Sequence, residues 1–250
     1  MDLTLLVSPD LWMGIARGVR VTLLLTILSM VLGLALGTVL ALMRQYGNGP
    51  AKAISGCYVF LFRGVPLLIL LYFLYYGAPQ FSAIRSGPLW GLIFSSAFST
   101  CVLAFTLNNA AYLAEVVRGG MLTIKKGEIE AGYAIGLSGS KVARRIVLPL
   151  AFRSCLYSIG NEAIFTIKAS AVASVVTVRD LMGEAQRVGV IYSDNLTPLL
   201  ATVLVYVILV QIVEWFIRRL RRYYYPHQYT KIAKRGASAK DVSTQVKKPV

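Results

Sequence analysis

The 250-residue chain is 56% hydrophobic and only 15% charged, with a mean hydropathy of +0.65, whereas a soluble domain carries about a quarter charged residues. Its net charge of +15 would suit nucleic acid, but the basic residues sit in loops and the C-terminal tail, between and after long apolar runs. That pattern is membrane topology, not a phosphate-binding face.

A helix needs roughly 20 mostly apolar residues to cross a bilayer, and lipid forces such a segment to satisfy its own backbone hydrogen bonds. Five spans are expected, giving an all-α membrane protein. The first covers about 19–43. Asp2 and Asp10 precede it where a signal peptide would be basic, and the run is too long for a signal-peptide core, so it reads as a retained span. Gly33 and Gly37 form a small-xxx-small pair within it, which permits close helix approach.

The second span covers about 54–77, and Arg63, Gly64 and Pro66 interrupt it. Proline there bends or breaks the helix, and broken helices border transport paths; the alternative is that Arg63 snorkels to the interface. The third span, about 90–117, places Asn108, Tyr112 and Glu115 on one face at i, i+4, i+7. Pairing with Arg118 is the expected fate of Glu115.

A loop over 120–149 separates spans three and four and has its own helical pattern. Glu128 and Glu130 load the first turn of a short helix, as its dipole favours. Ile129, Gly132, Tyr133 and Gly136 recur at helical spacing, with Gly136 as the stop. Ser138 is then placed to cap a second helix, expected to end before Pro149. Such a loop either docks a soluble partner or lies on the membrane surface.

The fourth span starts near Leu150 and ends between Lys168 and Val178, with Asn161 and Lys168 on one face and Glu162 about 100° round from it. Intramembrane charges of this kind face protein or water. They make either a cavity in which an acid holds a cationic side chain, or polar glue between helices. The fifth span covers about 196–217, followed by Tyr223–Tyr225, Pro226 and a basic tail, so that 1–222 form the membrane domain and 223–250 a tail expected to be disordered. Nineteen Lys and Arg fall on the side of the 120–149 loop and tail, against Arg17, Arg20, Arg85, Arg179 and Arg187 on the other. The positive-inside rule therefore places the N-terminus outside and the C-terminus in the cytoplasm.

Catalytic chemistry is not legible. The chain has no GxxxxGK[ST] phosphate loop, GxSxG elbow or HExxH pair. His227 is alone in the tail, and Cys57, Cys101 and Cys155 lack any metal-ligand or disulfide spacing. No catalytic residue and no metal site are expected.

The stretch EAGYAIGLSGSKVARRIVLP resembles the cytoplasmic motif of binding-protein-dependent ABC permeases: Glu-Ala-Ala, three residues, Gly, nine residues, then Ile-x-Leu-Pro. Glu130, Ala131, Gly136, Ile146, Leu148 and Pro149 fall at those spacings, and Gly132 replaces the second Ala. Arg63–Leu68 with Tyr75–Gly77, Leu107–Tyr112 with Glu115, and Asn161, Glu162 and Lys168 are similar to spans two, three and four of polar amino-acid permeases. After Lys168 the family's usual Thr-Ser-Leu is Ser170-Ala171-Val172 here. The likeness runs from about Gly18 to Gly183, and permeases for histidine, lysine, arginine and opines look most similar.

That resemblance implies a type I ABC importer permease of the bacterial inner membrane carrying polar, cationic amino acids or opines. It implies ATP and Mg bound by separate nucleotide-binding subunits, a second permease chain, identical or homologous, and a substrate-binding protein outside. Glu130, Ala131, Gly132, Gly136, Ile146, Leu148 and Pro149 would couple to the ATPase. Asn108, Tyr112, Asn161, Glu162 and Lys168 are the candidates for the substrate path. The rival expectations are a secondary transporter or channel, with Glu162 and Lys168 coupling ions, and a membrane scaffold that moves no solute.

Overall fold

The computed structural model describes residues 3–88 and 90–224, and these contain no strand. Helix α1 (Pro9–Tyr46) starts with proline at its first turn and Asp10 beside it, where a missing N–H and a negative charge are both favourable. At 38 residues it is about 57 Å long, well beyond the ~30 Å hydrocarbon layer. The expected second span is two helices, α2 (Gly49–Gly64) and α3 (Leu67–Tyr72), the latter continued by tighter and wider turns to Gln80. They meet at 101°. A short helix, α4 (Ser82–Arg85), and an isolated wide turn, Trp90–Phe94, precede α5 (Ala97–Leu122). The third span thus begins later than its apolar run, because the hydroxyls of Ser99 and Thr100 hold the Ile93 carbonyl at 2.7 and 3.0 Å and end the preceding turn.

In the 120–149 loop, α6 (Lys126–Ala134) and α7 (Gly139–Val142) follow one another. The helix starting at Gly139 was expected to end before Pro149; instead it widens into a π turn at Ala143–Val147 and runs on as α8 (Leu148–Ala169). The Leu148 N–H bonds to the Ala143 carbonyl, five residues back. Widening the turn lets a residue without an N–H pass through, which a regular α-helix does not tolerate without a kink. A 3-10 stretch, Ser170–Val176, closes the fourth span, and Thr177 turns the chain at φ 68°. Helices α9 (Leu181–Tyr192) and α10 (Leu196–Tyr224) complete the described chain. Tyr223 and Tyr224 belong to α10; Tyr225, Pro226, His227 and the basic tail lie outside the described residues.

Glycine brings α1 and α5 together. A Cβ on Gly33 would sit 2.9 Å from the Asn109 Cβ, and one on Gly37 would sit 2.9 Å from the Ala110 carbonyl oxygen. Asn109, buried at this crossing, accepts from the Thr166 hydroxyl at 3.2 Å and reaches the Ser29 hydroxyl at 3.5 Å, so α1, α5 and α8 share one polar contact. One apolar cluster joins Leu25, Leu71, Phe105 and Val176. A second joins Val117 and Met121 of α5 to Val142, Val147, Ala151 and Cys155, with Ile129, Leu137 and Ile146 packed against it.

Beyond the fourth span, Asp180 caps α9. Its carboxylate accepts from the Gly183 N–H at 2.9 Å and the Tyr206 hydroxyl at 3.3 Å, while the Leu181 N–H bonds to the Thr22 hydroxyl at 3.1 Å. Burial pushes the Asp180 carboxyl up to about 6, against the pull of those donors.

Replacing Gly37 with leucine must force α1 from α5, because the obstruction is backbone; overpacking of this kind costs about 1–3 kcal/mol. Detergent-solubilised Gly37→Leu is expected to melt below the wild type, while Gly56→Ala, with nothing within 4 Å of its Cβ, melts with it. Equal midpoints for all three would contradict the packing.

Candidate functional site

The break between α2 and α3 organises the membrane interior. Pro66 has no N–H, so the Phe62 carbonyl four residues earlier loses its helical donor. Asn108, buried on α5, supplies one: its amide donates to the Phe62 oxygen at 3.1 Å. Tyr58 donates in return to the Leu107 carbonyl at 2.9 Å. Asn108 is therefore engaged in holding the break, a structural role beside the substrate contact expected from its position.

Tyr112, one turn on, lies under the Arg63 guanidinium, 5.2 Å from ring centroid to carbon. Glu115 is clamped by two arginines: Arg44 of α1, and Arg118, whose Nε and Nη2 donate at 3.1 and 2.8 Å. The expected Arg118 pairing is present, and Arg44 is an addition that no single-helix periodicity could show. Arg44, Arg63, Tyr112 and Glu115, with Gly56, Val59, Phe60 and Gly64, line an open cavity of about 490 Å3.

Arg63 interacts electrostatically with both Glu115 and Glu162. The side chain of Glu162 has no hydrogen bond or ion pair among the described residues, nor do Asn161 and Lys168. Asn161 and Lys168 are exposed and Glu162 is half-buried. With Ser158 they give α8 an outward polar stripe, whereas the exposed residues of α10 include Val203, Leu204, Val207, Ile208 and Ile212. Arg63, expected either to border a path or to snorkel, stacks on Tyr112 and lines the cavity. The signal available in sequence was an arginine in a span directly before a break.

In the loop, α6 ends as its glycine pattern requires. Gly136 has φ +80°, its N–H bonds to the Tyr133 carbonyl at 2.9 Å, and the Leu137 N–H bonds to the Gly132 carbonyl at 3.1 Å. This is the Schellman arrangement, for which glycine is preferred. Gly132 is buried, and a Cβ there would lie 2.6 Å from Ile146 Cδ1 and 3.2 Å from Val142 Cγ2, so the departure from alanine matches a close helix contact. The expected single face splits. Ile129 and Gly132 pack inward, while Tyr133 is 53% exposed and Ile135 76%. Glu130, Ala131 and Pro149 are exposed, and Ile146 and Leu148 half-buried beneath them. Ser138 stands at the N-cap position of α7, but its hydroxyl makes no cap hydrogen bond.

Two unequal halves thus emerge: a spanning bundle with a broken helix and inward-lying charge, and a loop presenting acid and apolar groups on a short helix. Residues 11–223 match the family model for the inner membrane component of binding-protein-dependent transport systems, and the chain belongs to that family. It is 37% identical over 176 residues to the octopine transport system permease protein of Rhizobium radiobacter, covering 70% of this chain and 71% of the relative. It is 33% identical over 208 residues to the arginine transport system permease protein of Bacillus subtilis, covering 83% and 91%. A crystal structure of an amino acid ABC transporter with histidines superposes with a TM-score of 0.76 at 26% identity, over 89% of this chain and 98% of that one. The protein is a permease subunit of an ABC importer with a type I permease fold, and ATP hydrolysis belongs to separate subunits.

Asn108→Ala leaves the Phe62 carbonyl unsatisfied in a low-dielectric setting, at a cost of about 1–3 kcal/mol. The expected outcome is a lower melting midpoint, with uptake falling in proportion to folded protein and an unchanged apparent KM. A changed KM with unchanged melting would make Asn108 a substrate contact instead.

Proposed function

We propose that this permease moves polar amino acids or opines, cationic ones in particular, inward along a path bordered by Arg63, Tyr112, Asn161, Glu162 and Lys168. The observation that carries the reading is the half-buried Glu162 carboxylate, which makes no hydrogen bond or ion pair among the described residues, beside an outward polar stripe on a spanning helix. A cationic side chain leaving water needs a counter-charge, and Glu162 is available for one. The relatives' names include octopine, nopaline and arginine permeases at 37%, 34% and 33% identity, beside cystine permeases at 35% and a putative glutamine permease at 33%.

Lipid cannot cover the Ser158–Asn161–Lys168 stripe without cost, whereas it readily covers α10. A second permease chain, identical or homologous, is the fitting cover, with the solute path between or beside the two. The count of basic residues supports an outside N-terminus and a cytoplasmic loop and tail. On that side the nucleotide-binding subunits, which hold ATP and Mg, would meet Glu130, Ala131, Tyr133 and Ile135.

Transmission follows from packing. Gly132 seats α6 against Val142 and Ile146, and the cluster beneath joins them to Val117 and Met121 of α5 and to Ala151 and Cys155 of α8. Those two helices carry Tyr112, Glu115 and Glu162. A push on α6 is therefore delivered through close-packed side chains, which transmit strain, and biases the bundle between two arrangements.

The test is uptake and ATPase activity in proteoliposomes holding the complete transporter. Glu162→Gln keeps shape and removes charge; cationic-solute uptake should fall about tenfold or more while ATPase without solute persists. Gly136→Val, strained at positive φ by about 1–2 kcal/mol, and Glu130→Ala should lower solute-stimulated ATPase with membrane insertion intact. Wild-type uptake in Glu162→Gln would move the cationic site elsewhere, and wild-type coupling in both loop variants would remove α6 from the ATPase contact.

A further inference from the structure

The side poor in basic residues carries an unexpected concentration of them. Arg17, Arg20, Arg179 and Arg187 line one open cavity of about 670 Å3, with Glu184 as its acid and Val21, Leu24 and Phe98 as its apolar wall. They come from two separate stretches of chain, α1 and the 179–187 segment, so their convergence is a product of folding. Glycine makes it possible: a Cβ on Gly18 would lie 2.7 Å from the Leu181 Cα, and one on Gly14 would lie 3.3 Å from Glu184 Oε2. The positive-inside rule gives no reason for this cluster, since it concentrates positive charge on the wrong side for topology.

Glu184 accounts for two of the four. It is 3% exposed, accepts from Arg187 Nε at 2.7 Å and lies 3.7 Å from Arg17 Nη2. Arg20 and Arg179 are exposed and have no hydrogen bond or ion pair among the described residues. The Arg17 side chain is 60% exposed despite its partner. Four guanidinium groups around one carboxylate leave a surplus of positive charge that repels itself unless an anion arrives. The cluster is preassembled, and its free forks suit carboxylates, which arginine binds in pairs of parallel hydrogen bonds.

The family is binding-protein-dependent, so a soluble protein must dock on the outer surface. We infer that the Arg17–Arg20–Arg179–Arg187 cluster is the docking surface for an acidic patch of that binding protein. The inference rests on the proposed orientation, with the N-terminus outside. A protein partner is favoured over a lipid phosphate by the family's dependence on one and by the fit of the Arg20 and Arg179 forks to carboxylates. Their common field would steer the partner and set its encounter rate, more than it would tighten the final complex. Clamped to α1 at Gly14 and Gly18, α9 would also place the docked protein directly on the helix that packs along α5.

The experiment is ATPase stimulation of the complete transporter in nanodiscs, titrated with solute-loaded binding protein at several salt concentrations. For the wild type, the half-maximal binding-protein concentration should rise with salt. Arg20→Glu with Arg179→Glu should raise that concentration by about tenfold or more at low salt and flatten its salt dependence. Arg20→Gln with Arg179→Gln should give a smaller shift in the same direction, and ATPase without binding protein reports that assembly is intact. An unchanged half-maximal concentration in the Glu pair overturns the inference. So does a defect that vanishes in nanodiscs of zwitterionic lipid, which would assign the cluster to a phospholipid headgroup. An Arg20→Cys variant labelled by an impermeant thiol reagent only from the ATPase side would instead sink the orientation, and the docking surface with it. Failure of the wild type to respond to any binding protein would overturn the import reading itself.

Discussion

Pro66 removes one donor from a helix inside a bilayer, and the Phe62 carbonyl must find another. In water a solvent molecule would serve; in lipid only protein can, because an unsatisfied backbone group there costs several kcal/mol. The amide of Asn108 meets that demand, and much of the interior follows from it. α3 can leave α2 at 101°, Arg63 is held at the rim over Tyr112, and a cavity opens between α2 and α5. The break, which alone would be a defect, becomes the wall of that cavity.

The same constraint separates the two kinds of charge in the bundle. Glu115 is neutralised within the chain by Arg44 and Arg118 and ties α1 to α5 at their loop ends. Glu162 and Lys168 make no ion pair among the described residues, although the Arg63 charge acts on Glu162, and they stand on a helix face that lipid would cover poorly. A charge already paired stabilises the scaffold.

Some expectations failed for reasons of local geometry. The ring and missing N–H of Pro149 normally end a helix; the π turn before it absorbs both effects, and the 120–149 loop becomes continuous with the fourth span. Tyr133 shares helical spacing with Ile129 and Gly132, yet faces out. Gly132 is drawn so close to Ile146 that the packed stripe is narrower than the spacing implies. Helical spacing puts Asn108 on one face with Tyr112 and Glu115, but it does not show that the Asn108 amide donates to a carbonyl 46 residues away.

Periodicity, punctuation and charge count by themselves determined how many apolar segments the chain has, where the second one breaks, where α6 stops and which loop carries the family motif. These are properties of short stretches, in which residues meet neighbours three or four positions away. Only the tertiary structure decided which polar group answers which. Arg44 meets Glu115 across 71 positions, and Thr22 meets the Leu181 N–H across 159. The four arginines converge only because glycines let α9 settle onto α1. A helical period reports which residues share a face and carries no information about what lies opposite; in a bilayer, where each buried polar group must be paired, what lies opposite sets its role.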